Sequence, residues 1–329
     1  MKRISSLGCW LMAALFFVPA SARPTDQKND VEAIGSRNVA HKSIVSIERE
    51  VAIGRQYAME IDKSAQFVTD PVVTEYVNRL AQNIAHNSDL KVPLTIKVID
   101  TPDINAFALP GGFMYINSGL FAAAEEEAEV AGVISHEVAH VAARHWASQM
   151  TKSTILQYAM VPLIFTPMSY PVYVGVSQAM NLGIPLTFLK FSRSAESEAD
   201  LLGLQYMYKA GYDPNAYVAF FGRMMDEQRR SPDSAPAVFL DHPMTGDRII
   251  RSEETIKEVL PKKASYLVST SEFEDVRDHL LATMKRRKLQ KSEADKPTLR
   301  KREAAKESPA QGESPSKHSD KPPVLRRHE

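Results

Sequence analysis

Residues 136–140 read HEVAH. On a helix, positions i and i+4 lie on one face about 6 Å apart. His136 and His140 can therefore present two imidazole nitrogens to one metal ion. Glu137 lies about 100° round the same helix, within reach of a water held on that ion. Hydrolysis by a metal-activated water needs this set: two ligands on one face and a base beside the open coordination position. The competing reading is a charged helix that happens to contain histidines. The flanks argue against it, because Val130, Val133, Ile134 and Val138 make the helix mostly apolar. A buried helix carries a His-Glu-His cluster only when its polar groups are paired. His145, five residues past His140 and about 140° away on the wheel, reads as a helix-end residue and not as a ligand.

Catalytic zinc takes three protein ligands and a water. Residues 191–203, FSRSAESEADLLG, open another helix with Glu196, Glu198 and Asp200. Glu196 and Asp200 are i and i+4 and share a face, while Glu198 points away. The pair suits one carboxylate on zinc and another holding a ligating histidine by its far N–H. An acidic first turn that complements the helix dipole fits the same spacing. Further on, HPMTGDRI (242–249) offers His242 and Arg248 to a developing oxyanion. Each has an alternative. His242 can instead close the open zinc position, and Arg248 can instead pin the following helix through a salt bridge.

These side chains need a scaffold. Val51, Ile53, Tyr57, Met59 and Ile61 give a helix over about 46–61. Residues 70–88 make a clearer one, with Asp70 as cap and Pro71 in the first turn. PLTIKVID (93–100) alternates and is β-branched, so it reads as a strand. After the Pro110-Gly111-Gly112 turn, FMYIN reads as a second strand. One helix is expected over 121–150, carrying the histidines, and others over 196–212, 213–230, 245–259 and 270–284. The class is α+β, mainly helical with a small sheet. The strand Gly111, Gly112, Phe113, Met114, Tyr115, Ile116 and Asn117 is expected at the cleft edge, where an extended peptide binds by backbone hydrogen bonds.

The chain has 329 residues and no net charge, with 44% hydrophobic residues. It is long enough for one large domain or two small ones with a sizeable core, and is neither wholly disordered nor a membrane bundle. Lys2 and Arg3, an apolar run over 9–19 and Ala20-Ser21-Ala22 suggest an export leader over 1–22. The single cysteine, Cys9, falls inside it. A mature chain starting near Arg23 has no thiol, which excludes disulfides, cysteine catalysis and zinc held by cysteine. Residues 23–44 read as a flexible segment. Residues 153–190 are almost free of charge and broken by Pro162, Pro167 and Pro171. They suggest an apolar flap within the domain, touching a membrane surface or an outer-membrane assembly; a buried core segment fits as well. The tail, 285–329, carries fourteen Lys/Arg against seven Asp/Glu and almost no large apolar residue. It reads as disordered and solvated, and no nucleic-acid partner is expected.

Four stretches in order, NAFALPGGFMYINSGL (105–120), HEVAH, ESEAD (196–200) and HPMTGDRI, resemble a zinc endopeptidase family. It includes the type I CAAX prenyl protease, the HtpX heat-shock protease, the mitochondrial Oma-type proteases and the periplasmic beta-barrel assembly-enhancing proteases. The resemblance covers about residues 45–284. It implies a gluzincin with a zincin-like fold, whose sheet edge lines the cleft. It implies one zinc per monomer on His136, His140 and Glu196, with Glu137 as the catalytic glutamate and Asp200 supporting the site. The sequence is expected to lack the membrane helices of the prenyl protease and HtpX groups, and its basic tail shows no resemblance to the helical-repeat domain of the assembly-enhancing group. The expectation is an exported, periplasmic endopeptidase acting on extended or unfolded envelope proteins. The alternative is a chaperone-like assembly factor whose protease site is normally latent.

Overall fold

The computed structural model describes residues 27–164, 191–230 and 242–294. The expected leader, residues 165–190 of the expected flap, and residues 295–329 of the tail lie outside them. The chain divides after Lys285 into two units, and of the second only 286–294 are described.

The elements follow from local chemistry. Helix α1, Ile47–Ser64, is capped by Ser46, whose side chain accepts from the Arg49 N–H. Helix α2, Pro71–His86, has Asp70 as cap and Pro71 at its start, and buries Val73, Tyr76, Val77, Leu80 and Ile84. Three strands follow: β1 Thr95–Ile99, β2 Ala106–Leu109 and β3 Phe113–Asn117. β1 pairs parallel with β3 and β2 pairs antiparallel with it, in the order β1-β3-β2. The β2–β3 link is Pro110-Gly111-Gly112. Both glycines have positive φ, 79° and 89°, and side chains there would collide with the backbone of Val51 and Pro93.

β3 is the central strand, which corrects the expectation for Gly111–Asn117. Its backbone is occupied on both sides, and both its faces are covered. Met114 and Ile116 join the main core, while Tyr115 packs with Leu109, Ala58 and Trp146 on the side of α1. A strand paired along both edges has no backbone edge left for a peptide. The outer strands are β1, bridged at Ile99 by Phe67, and β2, whose outer edge no described strand pairs and whose short run AFAL carried too few residues to read as a strand.

The expected single helix over 121–150 is three helices: α3 Ser118–Ala123, α4 Glu127–Ala142 and α5 His145–Ile164. The second break centres on Arg144, which takes φ 56°. Its guanidinium donates to Glu50 Oε2 (2.5 Å) and the Val45 carbonyl (2.6 Å), contacts that hold a left-handed residue in place. Residues 153–164, read as the start of the flap, are the end of α5, with Ile155 and Leu156 exposed. Then come α6 Arg193–Lys209, α7 Asn215–Arg230, α8 Gly246–Glu258 and α9 Ser271–Ala294. α9 runs ten residues beyond the expected end because KRRKLQKSEA is rich in helix formers. Among the described residues, no helix is long and apolar enough to cross a membrane.

Residues 27–43, read as loose, are packed down. Val31 and Val39 join the core. Arg37 is buried, donating to Asp89 Oδ2 (2.8 Å) and to the Lys28 and Asp30 carbonyls. Tyr206 on α6 shares that carboxylate (2.9 Å). Composition hid this, because the anchor is one charged pair and two valines in an otherwise polar stretch.

Candidate active site

α4 is buried on nearly every face. Two glycines let its neighbours approach. A Cβ on Gly203 of α6 would lie 3.0 Å from the His136 backbone, so a side chain there would press the two helices apart by a few tenths of an ångström. Gly132 likewise admits the ring of Tyr217 from α7. The first approach brings the acids of α6 onto the histidines of α4; the second brings a phenol.

The result is a group of four buried side chains that could hold one zinc ion: His136, His140, Glu196 and His242. His140 Nε2 is 3.1 Å from His136 Nε2. Glu196 places Oε2 3.5 Å from His136 Nε2 and Oε1 3.7 Å from His140 Nε2. Ligand atoms about 2.0–2.1 Å from a tetrahedral zinc stand about 3.3 Å apart, so these three fit one ion. They were the three expected ligands.

Asp200 takes the supporting place expected of it. Its Oδ1 lies 3.2 Å from His136 Nδ1. An ionised carboxylate only accepts, so His136 carries a proton on Nδ1, and Nε2 is the nitrogen that would offer its lone pair to a metal. Tyr217, unmarked by any motif, donates to the same Oδ1 at 2.5 Å. Arg248 donates through Nε and Nη2 to Asp200 (2.7 and 2.6 Å) and through Nη1 to the Pro243 carbonyl. Nη1 is also 2.9 Å from Glu196 Oε2. This corrects Arg248 as an oxyanion donor: its N–H groups are spent on the two acids, and it braces them.

Glu137 Oε2 accepts from the Ala108 backbone N–H at 2.9 Å. That contact sets the carboxylate against the free edge of β2. Its Oε1 faces His242 Nε2 at 3.4 Å. His242, in the loop before α8, donates from Nδ1 to Glu196 Oε1 at 3.0 Å. Phe191 stacks on the His140 ring at 4.2 Å between centroids.

Charge follows geometry. Burial opposes a charged His136, but Asp200 and Glu196 outweigh it and raise its pKa to about 9. Burial and then His136 push His140 well below the usual range. For Glu196, burial raises the carboxyl, yet bonds with His136 and His242 hold it well below the carboxylate range. Asp200, raised by burial and lowered more by Arg248 and His136, comes to about 2. Burial lifts Glu137, with His242 and His136 pulling against it. A carboxyl lifted in this way is a stronger base than a free one.

His145, expected as a helix-end residue, opens α5 and returns to the site. Its Nδ1 is 3.0 Å from His140 Nδ1. Helical-wheel reasoning did not foresee this contact because it ran one helix through Arg144.

Comparison with known proteins agrees with the geometry. The model of peptidase family M48 matches residues 71–256. The beta-barrel assembly-enhancing protease of Escherichia coli K12 is 29% identical over 225 residues, 67% of this chain and 46% of that protein. A Vibrio cholerae relative is 32% identical over 252 residues, 75% of this chain and 52% of its own. The mitochondrial metalloendopeptidase OMA1 of Arabidopsis thaliana is 35% identical over 157 residues, 47% of this chain and 31% of that one. The chain spans about half the length of the bacterial relatives it matches.

Proposed function

The chain belongs to peptidase family M48, and from that premise we propose that it is a zinc-dependent endopeptidase for unfolded or misassembled proteins of the bacterial envelope. The observation that carries this reading is the spacing of His136, His140 and Glu196, 3.1–3.7 Å apart, with Glu137 beside them. The envelope assignment draws on the expected leader and on relatives named for beta-barrel assembly.

When bound, zinc polarises the scissile carbonyl and lowers the pKa of the attacking water. The chain supplies the rest. Glu137 takes the water's proton and delivers it to the leaving amine. The Ala108 N–H holds the Glu137 carboxylate, leaving Oε1 for the proton. Asp200 and Tyr217 fix the His136 tautomer, and Arg248 neutralises the acids behind it. The free edge of β2 is the surface on which an extended substrate adds as a strand, a mode that selects conformation more than sequence.

His242 supports a resting state that is shut. It stands in the ligand group itself, and the site side chains are only 2–4% exposed. In this reading His242 would serve as a further ligand beside His136, His140 and Glu196 and would have to move away to admit substrate. The same observation favours the second reading, a chaperone-like assembly factor whose protease is normally latent.

Zinc content and digestion of an unfolded protein, with and without chelator, test the function. Wild type should hold one zinc and lose activity with it, and Glu196→Ala should lose most of the metal. Full zinc in Glu196→Ala, with loss in Glu198→Ala, would show the ligand set to be wrong. Glu137→Gln separates the two readings, because a chaperone role survives it and proteolysis does not.

A further inference from the structure

Among the described residues a second cluster of ligand-type side chains lies behind the first: His41, His145 and Glu198. Glu198 Oε2 is 2.6 Å from His41 Nε2 and 3.3 Å from His145 Nε2. Its other oxygen is paired with the ammonium of Lys28. The cluster borders a cavity of about 320 Å³, also lined by Ser148, Lys152 and Phe191. Taken alone, it has the composition of a second metal site.

Following the protons gives a different answer. A carboxylate only accepts, so His145 donates to it from Nε2–H. In the neutral ring the other nitrogen, Nδ1, is then an acceptor. It lies 3.0 Å from His140 Nδ1, so His140 is the donor there and carries its proton on Nδ1. That leaves the Nε2 lone pair of His140 free, on the side where Glu196 and His136 converge. Every donor meets an acceptor, and the chain ends on the atom that must ligate. A cation in the second cluster would need the His145 Nε2 lone pair. Its proton would move to Nδ1, and His140 could no longer donate there. The cation would also sit beside the Lys28 ammonium, which repels it.

We infer that Glu198 and His145, with His41 and Lys28 holding the carboxylate, form a relay that fixes the tautomer and ring orientation of His140 and thereby sets the zinc affinity of the site. The inference rests on the reading of His140 as a ligand. It gives each acid of ESEAD a separate task. Glu196 faces the metal position, Asp200 holds His136 directly, and Glu198 holds His140 at one remove. The break at Arg144 is what makes this possible, since a continuous helix would carry His145 to another face.

The test is zinc affinity by chelator competition on the full chain, with melting temperature measured alongside. Partners that orient a metal-ligating histidine are typically worth 10–100-fold in affinity. Glu198→Gln and His145→Leu should each weaken zinc binding by about that factor. The double variant should be no weaker than the worse single, because both cut one chain. His145→Gln should recover much of the loss, since its amide can donate to Glu198 and accept from His140. Nitrogen-15 imidazole spectra of the wild type should place the His140 proton on Nδ1. A purely structural role would lower the melting temperature and leave zinc affinity unmoved.

Unchanged affinity in both singles overturns the relay, as does a wild type that binds two zinc ions and loses one in Glu198→Gln. If His145→Leu does not fold, Glu198→Gln and the spectra decide. The ligand reading fails separately, through a wild type without zinc or a Glu196→Ala that keeps it.

Discussion

Replacing His242 with alanine tests the state in which the enzyme rests. His242 donates from Nδ1 to the Glu196 carboxylate at 3.0 Å and faces Glu137 with Nε2 at 3.4 Å. A hydrogen bond to a charged group contributes about 1.5–3 kcal/mol. If that bond keeps the site shut, its loss moves the closed-to-open ratio by the same amount, about 10–150-fold. Apparent substrate affinity scales with the competent fraction, so kcat/KM should rise by about tenfold or more until opening is no longer limiting. The opposite role predicts the opposite sign, because losing an oxyanion donor costs about 100–1000-fold in kcat. The assay is cleavage of an unfolded, dye-labelled protein by wild type and His242→Ala, with zinc content measured in the same preparations. A fall of tenfold or more at full zinc would refute latency in favour of oxyanion stabilisation. Unchanged turnover would refute both and make His242 a packing residue.

Glu137→Gln should keep fold and zinc while losing about 100–10,000-fold in peptidase rate, since an amide cannot take the water's proton; near-normal digestion would exclude the mechanism. Arg248→Met leaves Asp200 and Glu196 buried without their cation, a loss of about 3–5 kcal/mol. At about 2–4 °C per kcal/mol in a domain of this size the melting temperature should fall by about 6–20 °C, and saturating zinc should restore part of it. A shift under 2 °C would show the brace to be idle. Because the His136 pKa stands near 9 before metal binds, the proton competes with zinc below that pH. Apparent zinc affinity should climb about tenfold per pH unit from 6 to 8 and level off above 9. A flat profile over that range would contradict it.

Much of the site was legible because its rules are local. The i, i+4 spacing of His136 and His140 on one helix, and of Glu196 and Asp200 on another, fixes which side chains share a face whatever the packing. Asp70 with Pro71 and the Ser46 hydroxyl set helix starts through their own backbone bonds. What failed depended on tertiary pairing. FMYIN reads the same as an edge or a central strand, and only the partners β1 and β2 decide. Arg248 carries one charge whether it meets an oxyanion or Asp200. Tyr217 reaches Asp200 with its ring packed closely over Gly132, a fact that lies in two distant residues together.

Glu198 shows most plainly where a wheel diagram stops. It does turn away from Glu196 and Asp200, and from that alone it looked idle. Its partner was hidden because His145 was placed on a continuation of α4. Nothing in VAARHW announces a break: alanine and arginine are good helix formers, and no glycine or proline intervenes. The break is made from outside the segment, by Glu50 and the Val45 carbonyl, which hold Arg144 at φ 56°. A left-handed arginine costs roughly 1–2 kcal/mol, and those two bonds offset it. The placement of His145 therefore depends on a contact between α1 and a residue about a hundred positions away. Local propensity opposes it, and no local pattern could have supplied it.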